Sequence, residues 1–192
     1  MFETFIKFLE LGLYHILSVD SYDHISFVAL ISVPFLFKDW KRLLILISIF
    51  TLGHTLSLLL GIYDIINLNT SEWLIPISIL CVALFNIFTA GKTFIKESNL
   101  VLTIVLIFGL IHGLGFANTF KSFVGSNNTL VAALEFAIGI EIGQLVVVIV
   151  VLILSFISQN LFRFSKRDWV LVTSSIILGF ILPLIFMSPL FS

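Results

Sequence analysis

The sequence predicts an all-α fold, a polytopic membrane protein built as one helical domain over residues 1–192, on three observations. First, 59% of the 192 residues are hydrophobic and only 11% are charged, with a mean hydropathy of +1.20. A soluble domain would carry roughly a quarter charged residues. Second, apolar runs recur along the chain at about the 20 residues a helix needs to cross a hydrocarbon core. Third, the basic residues gather in alternate connecting segments, as the positive-inside rule requires of a multi-pass protein.

The N-terminal residues 5–17 are apolar but interrupted by Lys7 and Glu10. They are too short to span, so this stretch is expected to lie in the interface or to re-enter the membrane; a full crossing there would make seven spans rather than six. Ser18, Asp20 and Ser21 are good N-cap residues, and a second helix is expected to begin there and run to Phe37. Spans follow at about 43–63, 73–90, 99–119, 130–158 and 169–187, giving six in all. Lys38, Lys41 and Arg42 follow the first span, Lys92 and Lys96 the third, and Arg163, Lys166 and Arg167 the fifth. Those loops are expected on the cytoplasmic side, with both termini in the periplasm of a bacterial inner membrane. The start lacks the basic segment and small-residue cleavage site of a secretory signal, so the chain is expected to be mature from Met1. Trp40, Trp73 and Trp169 fall at the expected interfaces, and Pro76 and Pro183 shape their helices.

The net charge of −1 gives no reason to expect a nucleic-acid partner. The single cysteine, Cys81, excludes both a disulfide framework and a cysteine metal cluster, and its apolar surroundings predict a small core residue. Chemistry must therefore come from the few polar residues left in the apolar runs. A charged residue at a helix centre costs about 2.5–3.5 kcal/mol on insertion scales, so each needs a reason.

His15, Asp23 and His24 lie at the first break, His54 in the second span, His112 in the fourth and Glu141 in the fifth. At the expected topology all six could meet in the outer half of the bundle. His15 and His24 are half a turn out of phase on one continuous helix, so both reach one site only if the chain breaks between Ser18 and Ser21. Imidazole and carboxylate donors suit zinc, nickel, iron or copper, and this set could serve one ion or two. A ligating histidine usually donates its other ring nitrogen to an acceptor, for which Asp20, Thr51, Ser57 and Gln144 are candidates. Glu141 and Gln144 share a helical face while Gly139 and Gly143 point the other way, where they can pack closely on a neighbour. Glu135 is expected to reach the interface, and Asn86 to hydrogen-bond between helices.

The segments Gly12-Leu13-Tyr14-His15-Ile16-Leu17, Tyr22-Asp23-His24-Ile25-Ser26-Phe27 and Phe50-Thr51-Leu52-Gly53-His54-Thr55 resemble the HupE/UreJ family of hydrogenase and urease accessory membrane proteins. So do Phe108-Gly109-Leu110-Ile111-His112-Gly113 and Phe136-Ala137-Ile138-Gly139-Ile140-Glu141. The resemblance covers about residues 10–150 in order. It implies a small bacterial inner-membrane protein that moves nickel or a related divalent metal for metalloenzyme maturation, with maturation proteins as partners. By position it carries over His15, Asp23, His24, His54, His112 and Glu141 as the metal site. Many members have a shorter spacing before the Asp-His pair, whereas here Ser18 to Tyr22 intervene.

Three functions stay open on the sequence: a divalent-cation permease, an intramembrane metalloenzyme activating water or oxygen, and a metal-stabilised structural protein or chaperone. Ligands spread over several spans favour the permease. The expected lack of a polar trail into the cytoplasmic half counts against it.

Overall fold

The computed structural model describes residues 2–18, 21–66, 71–92, 99–125 and 127–187, without the side chains of residues 71–73. These residues form seven α-helices: α1 (Phe2–Leu17), α2 (Tyr22–Ser32), α3 (Trp40–Ile62), α4 (Ser71–Thr89), α5 (Asn99–Val124), α6 (Thr129–Asn160) and α7 (Lys166–Phe186). Among them α3, α5, α6 and α7 are long and apolar enough to cross a bilayer, and α4 carries a shorter apolar run over Leu74–Thr89. The expected spans match α3 to α7 closely because charged or helix-capping residues bound each apolar run. Asn128 and Ser165, for instance, cap α6 and α7 with their side-chain oxygens. Asp20 and Lys96, and the side chains of Glu72 and Trp73, lie outside the described residues.

The second helix departs from expectation: it ends at Ser32, not Phe37. Pro34 explains the stop. It has no N–H to give the Leu30 carbonyl. The orphaned Leu30 carbonyl accepts instead from the Asn86 Nδ2 of α4 at 2.7 Å, so Asn86 does bind helix to helix. At 11 residues α2 rises about 16 Å, half of what a span requires.

The contacts give α1 and α2 a shared direction. Phe8 of α1 meets Phe120, and His15 meets Phe116; on α2, His24 meets His112 and Phe27 meets Phe108. The two helices therefore follow α5 in succession, in the sense opposite to its own. α3 runs parallel to α5 through a seam of small residues: Gly53 faces the Leu106 carbonyl, Gly109 the Phe50 carbonyl, and Gly113 the His54 carbonyl and Ser57 Oγ. A Cβ at Gly113 would stand 2.1 Å from the His54 oxygen. Only backbones stripped of side chains can approach this closely, the small-residue packing typical of membrane helices. α1 lies on α6 in the same manner, Gly12 against Phe136 and Ile140, and Gly139 against Leu9. Gly139 and Gly143 thus supply the close-packing face expected of them.

The bundle has two chemically different ends. The end of α2, the start of α3, the end of α4 and the start of α7 bring Lys38, Lys41, Lys92 and Lys166 to one side. At the other, Lys121 pairs with Asp64 at 2.8 Å and Lys7 donates to the Phe123 carbonyl at 3.2 Å.

Candidate metal centre

The chain breaks where the out-of-phase histidines require it. α1 stops at Leu17, α2 starts at Tyr22, and between them Ser18 and Ser21 share a hydroxyl hydrogen bond at 2.6 Å. Ser21 occupies the N-cap position of α2 but makes no side-chain cap bond. Across the break His15, at the end of α1, meets His24, in the first turn of α2, with ring centroids 4.4 Å apart.

α3 and α5 complete the cluster. His54 stands 5.6 Å from His15 and 6.1 Å from His24, and His112 stands 5.1 Å from His24, centroid to centroid. One ligand atom each from His15, His24 and His54 lie within 4.8 Å of one another. His54 and His112 are buried at 0% and 1% exposure, His24 at 4%, and His15 is half-buried. Phe27, Phe50, Phe116 and Phe136 wall the group, each in ring contact with at least one of the imidazoles. His112 lies at the middle of the 26-residue α5.

The hydrogen bonds show which nitrogens are available. His24 Nδ1 lies 2.8 Å from Asp23 Oδ1, and His112 Nδ1 lies 2.8 Å from the Phe108 carbonyl. Both acceptors hold the proton on Nδ1, leaving each Nε2 with a lone pair. Those Nε2 atoms, His15 Nε2 and both ring nitrogens of His54 are buried without a hydrogen-bond partner. An unsatisfied buried polar atom costs about 1–3 kcal/mol, and a cluster of them facing one another is what a metal ion relieves. Imidazoles whose second nitrogen is fixed by a carboxylate or carbonyl match the usual arrangement of metal-binding histidines. Three donors each about 2.0–2.1 Å from one ion stand about 3.3–3.6 Å from one another, so the set within 4.8 Å would have to draw together to ligate. The residues present therefore fit a transition-metal ion.

The six expected site residues divide. His15, His24, His54 and His112 converge. Asp23 contacts the cluster through His24, its Oδ1 accepting from both the His24 ring and the His24 backbone N–H at 2.8 Å. Glu141 stands apart from the histidine set, accepting a hydrogen bond from Ser48 Oγ on α3.

Of the expected acceptors, Thr51 donates to Gln144 Oε1 at 3.1 Å and Ser57 to the His54 carbonyl at 3.1 Å, so neither serves an imidazole. The groups that do are the Asp23 carboxylate, itself among the expected site residues, and the Phe108 carbonyl; a backbone carbonyl leaves no mark in a sequence beyond lying four residues before a helical histidine. Cys81 is exposed rather than a core residue, and Glu135 buries Oε2 without a partner instead of reaching the interface.

Residues 1–188 match the family model described as HupE / UreJ protein. Neither the curated proteins nor the solved structures compared with the chain gave a match.

Proposed function

As the chain belongs to the HupE/UreJ family, we propose that it is a membrane-embedded transition-metal protein that takes nickel or a related divalent cation as cargo, for the benefit of metalloenzyme maturation proteins. The observation that carries the reading is the clustering of unpartnered ring nitrogens of His15, His24 and His54, from α1, α2 and α3, with ligand atoms within 4.8 Å of one another, and beside them His112 of α5, its Nε2 also unpartnered and its ring 5.1 Å from that of His24. His15, His24, His54 and His112 would hold the ion, with Asp23 and the Phe108 carbonyl orienting two of them.

A polar seam supports movement as well as binding. One helical turn from His54 toward the start of α3 comes the buried Thr51–Gln144 pair, and one turn farther the Ser48–Glu141 pair. Gln144 is fully buried with its Nε2 unpartnered. The seam leads from the histidines toward the basic end, in the direction where the sequence offered no polar trail. Glu141 then acts as a carboxylate on the route rather than a member of the centre. α1 and α2 together count as one broken crossing, which with α3 to α7 gives six; the basic end lies in the cytoplasm and both termini on the far side of a bacterial inner membrane.

Nickel uptake into proteoliposomes tests this. The wild-type chain is expected to accumulate the ion, and Glu141→Gln and Gln144→Leu to lose most uptake while still binding metal at the histidines. Uptake that survives Glu141→Gln, Gln144→Leu and His112→Ala would refute the route.

The enclosure of the centre favours a second reading, a resident ion in an intramembrane metalloenzyme. An ion held there would supply Lewis acidity, and Asp23 would hold the His24 proton. Metal that stays bound through prolonged chelation, with no uptake, would favour it.

A further inference from the structure

A second feature lies away from the histidines. Between α2, α4, α5 and α7 runs a cavity of about 410 Å³, within the usual range of small-molecule sites of about 300–1,000 Å³. Its walls are apolar, including Ile31, Phe35, Phe85 and Val105. The polar side chains within are already satisfied: Asn86 donates to the Leu30 carbonyl and Thr89 to the Phe85 carbonyl at 2.6 Å. Nothing in the walls asks for a polar ligand.

The ends of the cavity differ. One end reaches Cys81 on α4 and Phe108 on α5; the other opens at Lys92 and Lys166, the charged side chains that line it among the described residues. Arg167 lies beside this mouth, its Cδ 3.5 Å from where a Cβ on Gly91 would stand. Along α4 the distance from Cys81 to Lys92 is about 16 Å at 1.5 Å per residue, close to half of a hydrocarbon core about 30 Å thick. The cavity therefore has the length of one leaflet, an apolar interior and a cationic mouth at the basic end of the bundle.

We propose that this cavity binds one acyl chain of an anionic phospholipid, with the headgroup phosphate held at Lys92 and Lys166. The apolar walls take the chain by exclusion from water, and the lysines supply the headgroup preference. The site does not depend on the metal reading, although its inner wall includes Phe108, whose carbonyl fixes His112.

Native mass spectrometry of the full chain in detergent, titrated with phosphatidylglycerol or with phosphatidylcholine of the same chains, tests the proposal. Each basic residue near a headgroup contributes enough for a several-fold change in affinity, so wild type is expected to bind one phosphatidylglycerol about tenfold more tightly than phosphatidylcholine. Lys92→Gln with Lys166→Gln should reduce that preference to about twofold or less while leaving chain binding in place. Cys81→Trp, at an exposed wall position, should weaken both lipids. The lysine pair lies at the end of the bundle and carries the test alone if Cys81→Trp fails to fold. Equal binding of the two lipids by wild type, or an unchanged preference in the lysine double variant, would overturn the proposal.

Discussion

Removing the Asp23 carboxylate while leaving every imidazole in place separates orientation from ligation. In the wild-type chain Asp23 Oδ1 accepts from His24 Nδ1 and from the His24 backbone N–H, both at 2.8 Å. Asp23→Ala deletes both bonds, so the His24 proton can move to Nε2 and the ring can turn. Loss of such a partner lowers metal affinity about 10–100-fold, or about 1.4–2.7 kcal/mol. The Asp23 side chain is 25% exposed, so water can replace part of its role and the loss should fall toward the tenfold end. Asp23→Asn keeps an acceptor oxygen and should lose only a few-fold. The assay is competition between purified protein in detergent and a chromophoric chelator for nickel or zinc, with His24→Ala as reference. Wild-type affinity in Asp23→Ala would show that the carboxylate does not orient the ring. A loss as complete as in His24→Ala would make Asp23 a direct ligand and refute the arrangement described above.

Two further predictions concern the framework that places the histidines. Gly113→Ala puts a Cβ against the His54 carbonyl and Ser57 Oγ, where backbone must shift; overpacking of this kind costs about 1–3 kcal/mol, and since it separates α3 from α5 it should lower both thermal stability and metal affinity. Metal affinity equal to wild type in a folded Gly113→Ala would show that the seam does not position the centre. Asn86→Leu leaves the Leu30 carbonyl without a partner next to Pro34 and should cost about 1–3 kcal/mol in denaturant unfolding, with metal binding little changed because α2 is disturbed far from His24. An unaltered unfolding midpoint would remove Asn86 from the account of how α2 ends.

Much of this architecture was legible in the sequence because lipid imposes a simple rule. Each apolar run between Trp40 and Phe186 had to become a helix long enough to satisfy its own backbone, and polar side chains within those runs had to find one another. The half-turn mismatch of His15 and His24 foretold the break at Ser18–Ser21, since no continuous helix puts both on one point. What the sequence concealed depends on helix pairing. That α3 and α5 run side by side through Gly53, Gly109 and Gly113 follows from backbone approach, which no spacing rule ties to a particular partner. Nor does a spacing rule foretell that Glu141, on α6, meets Ser48 of α3. Helix length misled in two places. α2 ends at Ser32 although the apolar run continues to Phe37; and α5 extends to Val124 through the polar residues after Ala117.

X-ray absorption spectroscopy of the purified full chain loaded with nickel or zinc tests the imidazole centre. The expected spectrum shows nitrogen donors at about 2.0–2.1 Å with the outer-shell scattering of three or four imidazoles, and this pattern should be lost in His54→Ala combined with His112→Ala. A bound ion surrounded by carboxylate oxygens without imidazole scattering, or a chain that retains no transition metal at all, would contradict the central claim.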